Sequence, residues 1–343
     1  MFDAAQWNLW ISVAVFAVSA VIICGAGILL TSRADRLADV TGLGEAIAGA
    51  ILLGAATSLS GIVTSATAAW EGHPQLSVSN ALGGIAAQTL FLTIADVFYR
   101  KANLEHAAAS SANMMQAALL ITLLAFILIG MTTPGVTVGG VHPATILLLL
   151  AYPYGLWMVN QSQQHPTWMP QETKQTVHDE PEEDKGKGSV RTLWLQFAGL
   201  ALVVGIAGFF LEKSAVGIAK QTDLSQSVIG AMLTAIVTSL PELVTSVAAV
   251  RRGALTLAVG GIIGGNAFDT LFVAVSDIFY REGSIYHAAG GQELMLLSLT
   301  IVMTGFLLMG LIRRETRGIA NIGFESFLIV VFYIGGVALL WIH

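Results

Sequence analysis

Glu242 follows Pro241 in the stretch TSLPELVTS (238–246), inside a long apolar run. A carboxylate in such a run costs about 3 kcal/mol unless it is paired, solvated or neutralised. Thr238 stands four residues before Glu242, which puts both on one helix face. Pro241 cannot donate to the Val237 carbonyl and clashes with it, so main-chain oxygens are freed beside the carboxylate. Carbonyls, the Thr238 and Ser239 hydroxyls and a carboxylate on one broken helix suit a hard cation such as Ca²⁺ or Na⁺. The plainer reading is a kinked packing helix with a protonated Glu. Asp269, in GGNAFD, is the second deep acid, and Asn266 lies one turn before it on the same face. Helix packing explains Gly264 and Gly265, but it does not explain a buried Asp.

Other polar residues carry less chemistry. Asp96 and Asp277 each precede an Arg by four residues (Arg100, Arg281), with Tyr99 and Tyr280 beside them. That spacing predicts interfacial ion pairs with aromatic anchors. His106 and His287 begin the following helices near opposite surfaces, where capping or hydrogen bonding is expected. Glu45 falls at the headgroup level near the start of the second span. There is no HExxH, GxSxG or Cys/His cluster to support hydrolysis, and the lone Cys24 offers neither a disulfide nor a Cys metal cluster. No enzyme activity and no cofactor are expected.

These residues must be held by membrane helices. The chain is 55% hydrophobic and 11% charged, against roughly 25% charged for soluble domains. Apolar runs long enough to cross a bilayer fall at 8–31, 42–70, 77–99, 107–131, 139–159, 192–212, 223–250, 257–280, 288–312 and 319–341. The expected fold is an all-α integral membrane protein of ten helices. Acidic side chains fall at only two deep positions, too few for the continuous polar lining of a passive channel. No basic residue precedes the first span, so no cleavable leader is expected. With the N-terminus outside, the inner loops hold thirteen of the sixteen Lys and Arg, leaving Lys213, Lys220 and Arg281 outside. The positive-inside rule therefore selects N-terminus and C-terminus outside. Residues 161–191 are rich in charge, Pro and Gln and are expected to be a flexible cytoplasmic linker. It separates a first unit, 1–160, from a second, 192–343.

The two units are copies. A shift of 181 residues aligns them without a gap, and 20 of 44 positions are identical between 57–100 and 238–281. TSLSGIVTS (57–65) falls on TSLPELVTS, ADVFYR on SDIFYR, and His106 on His287. Each copy has five spans, an odd number, so the second must cross the membrane the opposite way up. Inverted repeats of this kind build secondary transporters with ion sites near the midplane. The first copy keeps the hydroxyls but has Gly61 in place of Glu242 and Ser60 in place of Pro241. It is expected to lose both the charge and the kink.

At TSLPELVTS and GGIIGGNAFD the chain resembles the sodium/calcium exchanger family of the cation/calcium antiporter superfamily, and the resemblance extends over essentially the whole sequence. It implies alternating access, with the long first and sixth spans sliding across a fixed core. It also implies that Glu242 is the acidic Ca²⁺/Na⁺ ligand, with Thr238 and Ser239 the adjacent oxygen ligands and Asp269 the acid of the companion helix. In the first repeat Thr57 and Ser58 match, Gly61 departs from the acidic position, and Gln88 replaces the family's usual Asn. Gly84 and Gly265 stand where the family often has a ligating Ser. Glu242 and Asp269 together balance one Ca²⁺, while several Na⁺ are harder to hold without the missing carboxylate. The expectation is a secondary active cation antiporter exchanging Ca²⁺ for Na⁺ or H⁺. The alternatives are a monovalent cation/H⁺ antiporter or a transport-inactive relative. Expected partners are inorganic cations and the lipid bilayer, not nucleic acid, with a monomer in the plasma membrane.

Overall fold

The computed structural model describes residues 7–41, 52, 54–99, 102–164, 168–171, 173, 176, 189–316, 318 and 323–342. Glu45, Arg100, Lys174 and the acidic run 179–184 lie outside the described residues. The described residues are helical apart from connections and one isolated bridge between Val138 and Val141.

The first half runs α1 (Leu9–Thr41), α2 (Leu59–Trp70), α3 (Pro74–Phe98), the short α4 (Leu104–Ala107), α5 (Ser111–Thr132) and α6 (Pro143–Gln164). The second runs α7 (Val190–Gln221), α8 (Gln226–Thr238), α9 (Leu240–Arg252), α10 (Leu255–Phe279), the short α11 (Ile285–Ala288), α12 (Gly291–Arg313) and α13 (Phe324–Ile342). Among the described residues, eight helices are long and apolar enough to cross a bilayer, and the bent pair α8–α9 makes a ninth. The remaining expected span, 42–70, contributes α2 and the helical residues 54–57. The first and sixth spans are longer than their apolar cores, running on to Thr41 and Gln221.

Burial sorts the helices. Both α3 and α10 are largely buried and cross each other at the centre, walled by α2, α5, α6, α12 and α13. By contrast, α1 and α7 pack along one another outside this core and bury little of their apolar surface. In lipid, unlike water, an apolar face needs no protein partner.

The repeat governs local detail. Gly72 and Gly253, 181 apart, both take left-handed backbone (φ 77° and 89°) where α2 and α9 end. A left-handed residue just past a helix end favours Gly. Asp96 and Asp277 are a second matched pair; the expected partner of Asp96, Arg100, lies outside the described residues, and Asp277 does not make its expected ion pair. Asp277 accepts from the Ile285 N–H (3.1 Å), the His142 N–H (2.7 Å) and the Thr145 hydroxyl (2.8 Å), and no Asp277–Arg281 pair exists among the described residues. Asp96 accepts from the Leu104 N–H (2.6 Å) and the Gly323 N–H (3.4 Å). Each Asp thus satisfies the first turn of the short helix eight residues on, where orphan N–H groups need an acceptor. The histidines of those short helices are hydrogen-bonded as expected. His106 meets the Arg314 carbonyl (2.5 Å) and the Thr173 hydroxyl (2.8 Å), and His287 meets the Thr133 carbonyl (2.6 Å).

Candidate cation site

The site forms where two helix breaks face the crossing of α3 and α10. In the second repeat the break is at Ser239 (φ −98°, ψ 2°), and α8 and α9 diverge by 46°. Pro241 therefore sits in the first turn of a new helix, where its missing N–H costs nothing. Six residues of α8 before the break, Ile229–Thr234, form a π-helix, a deformation often found beside functional sites.

The first repeat breaks as well, contrary to the sequence expectation. Ser58 has φ −92° and ψ 6°, the geometry of Ser239, although no proline follows. The hydrogen bonds flanking it match too: Ser58 N–H to Gly54 and Ile62 N–H to Ser58 repeat as Ser239 to Ala235 and Leu243 to Ser239. Two matched contacts hold the breaks from outside. A Cβ on Gly27 of α1 would lie 2.7 Å from the Pro241 ring, and one on Gly208 of α7 would lie 2.9 Å from the Ser60 carbonyl oxygen. Gly27 and Gly208 are again 181 apart. Each long helix thus passes directly over the break of the opposite repeat.

Between the breaks lies a chain of polar side chains. Gln88 of α3 and Asp269 of α10, equivalent residues, bond to each other: the Gln88 amide donates to Asp269 Oδ2 at 2.6 Å. The Ser58 hydroxyl donates to Asp269 Oδ1 (2.5 Å), and the same Gln88 amide reaches Ser239 Oγ (3.2 Å). Each serine at a break thus meets the companion residue of the other repeat, which places the pseudo-twofold axis between Gln88 and Asp269. Ser58, Gln88, Ser239 and Asp269 are all buried. Thr57 and Thr238 are equivalent as well, and each hydroxyl turns back onto its own helix, at Gly54 O (3.1 Å) and Ala235 O (3.2 Å).

Glu242 is the exception. It is buried, and neither carboxylate oxygen has a hydrogen-bond partner. Thr57 lies beside it, and Asp269 is close enough to act on it electrostatically. The Gln88 amide oxygen is also buried without a partner. Three protein oxygens from two repeats are therefore left unsatisfied, and buried acceptors of this kind need a donor or a cation. Asn266 sits outside this chain of contacts and donates to the Thr89 hydroxyl at 3.0 Å.

Gly61 has a structural explanation. A Cβ there would lie 2.4 Å from Cε2 and 2.9 Å from Cζ of Phe272, which is buried on α10. The ring fills the space through which a side chain at 61 would leave α2. At the other two glycines of interest, an added Cβ would approach Ser239 Oγ to 3.5 Å (Gly84) and the Gln88 amide oxygen to 3.4 Å (Gly265), both tolerable.

Sequence reasoning missed Glu212. It lies on α7, is fully buried, and has no partner for either oxygen. Glu293 is a further buried acid, in the first turn of α12, satisfied by Ser79 (2.8 Å), Ser227 and the Gly290 N–H (2.7 Å). The repeat shift held a signal for Glu212, because it maps that residue onto Thr31, one of the places where only one copy is acidic.

Two helix breaks facing each other across a buried pseudo-twofold centre, in an all-helical chain of membrane-spanning length, define an inverted-repeat membrane transporter. More particularly, the chain belongs to the sodium/calcium exchanger protein family, which matches residues 11–162 and 192–342. Similar proteins include CaxA of Alkalimonas amylolytica, named as an antiporter, at 28% identity over 84% of this chain and 90% of that protein. The sodium/calcium exchanger MaX1 of Methanosarcina acetivorans is 32% identical over 39% of this chain and 38% of its own. Among solved structures, the sodium-calcium exchanger NCX_Mj shares the fold with TM-score 0.60 at 21% identity, covering 96% of this chain and 99% of that one. YfkE shares it with TM-score 0.68 at 15% identity, covering 100% and 99%.

Proposed function

We propose that the protein exchanges cations across the plasma membrane by alternating access, moving Ca²⁺ in one direction and Na⁺ or H⁺ in the other. One observation carries this reading: Glu242, buried at a helix break, presents two unpartnered carboxylate oxygens toward the opposite repeat. Glu242 is the principal ligand, with the Gln88 amide oxygen and the hydroxyls of Thr57, Ser58, Thr238 and Ser239 as neutral oxygens around it. An all-oxygen set with one or two carboxylates suits a hard cation. Asp269, tied by Ser58 and Gln88, supplies the second charge and aligns the neighbours.

Two carboxylates balance one Ca²⁺ but leave little for several Na⁺ at once. The Phe272 ring at Gly61 supports the second reading, a monovalent cation/H⁺ antiporter, because it holds the centre to two acids. Uptake into proteoliposomes, with Ca²⁺, Na⁺, K⁺ and H⁺ gradients varied one at a time, separates the two. Glu242→Gln should abolish flux in either case. Flux that survives Glu242→Gln, or no cation flux under any gradient, overturns the assignment. Alternation would carry α1 and α7 across the core at Gly27 and Gly208. The N-terminus and C-terminus lie outside in this scheme, and the units 1–160 and 192–343 are joined by a cytoplasmic linker. Cations and lipid are the only partners the scheme requires, and a monomer suffices.

A further inference from the structure

Away from the centre, three segments bring metal-ligating side chains together. Glu71 follows α2, His73 precedes α3, and Glu212 lies on α7. One ligand atom from each lies within 4.8 Å of the other two. Glu71 is exposed and His73 half-buried, whereas Glu212 has no exposed surface and neither of its oxygens has a partner. Lys213 pairs with Oε1 of Glu71, leaving that residue's second oxygen. Lys213 and Lys220 offset part of the negative charge, yet neither donates to Glu212. The Gln226 amide contacts His73 Nδ1 at 3.0 Å and steadies the ring. An outer contact of that kind orients a ligating imidazole.

The repeat does not generate this cluster. A shift of 181 maps Glu71 onto Arg252, His73 onto Ala254 and Glu212 onto Thr31, so the equivalent positions of the other repeat carry no matching ligand set. The ligand chemistry also differs from the centre. An imidazole nitrogen with two carboxylates suits a borderline divalent ion such as Zn²⁺, whereas Ca²⁺ prefers six to eight oxygens. We infer that Glu71, His73 and Glu212 form a second cation site, selective for a divalent transition-metal ion of the zinc class. It joins α7 to the α2–α3 turn, on the outer side in the orientation proposed above, and it is independent of ion exchange at Glu242.

Zinc binding to the purified, tag-free protein, titrated against a fluorescent zinc chelator, tests this. Wild type should take one Zn²⁺ per chain, and excess Ca²⁺ should not displace it. His73→Gln and Glu212→Gln should each weaken binding at least tenfold, while Glu242→Gln leaves it unchanged. His73 is half-buried in a turn, so its variant remains a valid test even if Glu212→Gln fails to fold. Absence of zinc binding, wild-type affinity in His73→Gln, or loss of binding in Glu242→Gln would each overturn the site.

Discussion

Restoring a glutamate at position 61 is the direct way to ask what its absence does, and the structure says that the single substitution cannot ask it cleanly. A Cβ at 61 meets Phe272 at 2.4 Å, and the ring is buried among packed neighbours. Overpacking of this kind costs about 1–3 kcal/mol, and a buried carboxylate adds about 3 kcal/mol more. Gly61→Glu alone should therefore lower stability markedly. Phe272→Ala alone leaves a cavity, at about 3–5 kcal/mol. In the double variant the new side chain enters the vacated space, so the steric part of both penalties falls away. The loss should be smaller than the sum of the single losses by about 1–3 kcal/mol, a coupling typical of residues in contact. Thermal unfolding of the four proteins in one detergent measures this, and proteoliposome flux on the same samples reads ion preference. Only the double variant should shift the balance between Na⁺ and H⁺ as driving ion, because only it adds a third central acid without the clash. Additive losses, within about 0.5 kcal/mol, would refute the claim that the ring occupies the place of the missing side chain.

Two further outcomes are expected. Gly208→Val should reduce flux more than stability, since the added branches press α7 against the Ser60 backbone, already 2.9 Å from a Cβ at that position. Equal flux in variant and wild type would show that α7 need not cross Ser60 closely. Glu105, on the short α4 outside the spans, is pushed above its ordinary value of 4.5 by burial and by the Glu325 and Glu315 charges, against the Ser326 hydroxyl. With its folded value raised, the native state keeps a proton that the unfolded chain releases. Stability should therefore fall as pH rises above about 4.5, at up to about 1.4 kcal/mol per pH unit. Glu105→Gln removes that slope. Melting curves that run parallel with pH in wild type and Glu105→Gln would refute this.

What the sequence makes legible, and what it hides, follows from how far each cause reaches along the chain. Spans are set by local apolarity, and the repeat by identity at a fixed shift, so both are visible in one dimension. Gln88 and Asp269 are also visible, because equivalence across the shift marks the residues able to meet on the axis. The break at Ser58 is not. A proline is a local cause and can be read directly, whereas Ser58 is held by Asp269 from 211 residues away and lies two residues before the Ser60 backbone that α7 overlies. Tertiary contacts impose on the first repeat the backbone that proline helps set in the second. The same reach hides Phe272 from Gly61, and it hides the true partners of Asp277, which lie eight residues on and on a different helix rather than at the neighbouring Arg. Glu212 escaped for another reason. It stands at the end of an apolar run, where a charge reads as interfacial, and only the continuation of α7 to Gln221 places it inside the fold. In both central mismatches across the repeat, Gly61 with Glu242 and Gln88 with Asp269, the acid belongs to the second copy. The backbone is therefore close to twofold while the charge is not, and any difference in how the two faces of the transporter handle ions must come from the side chains.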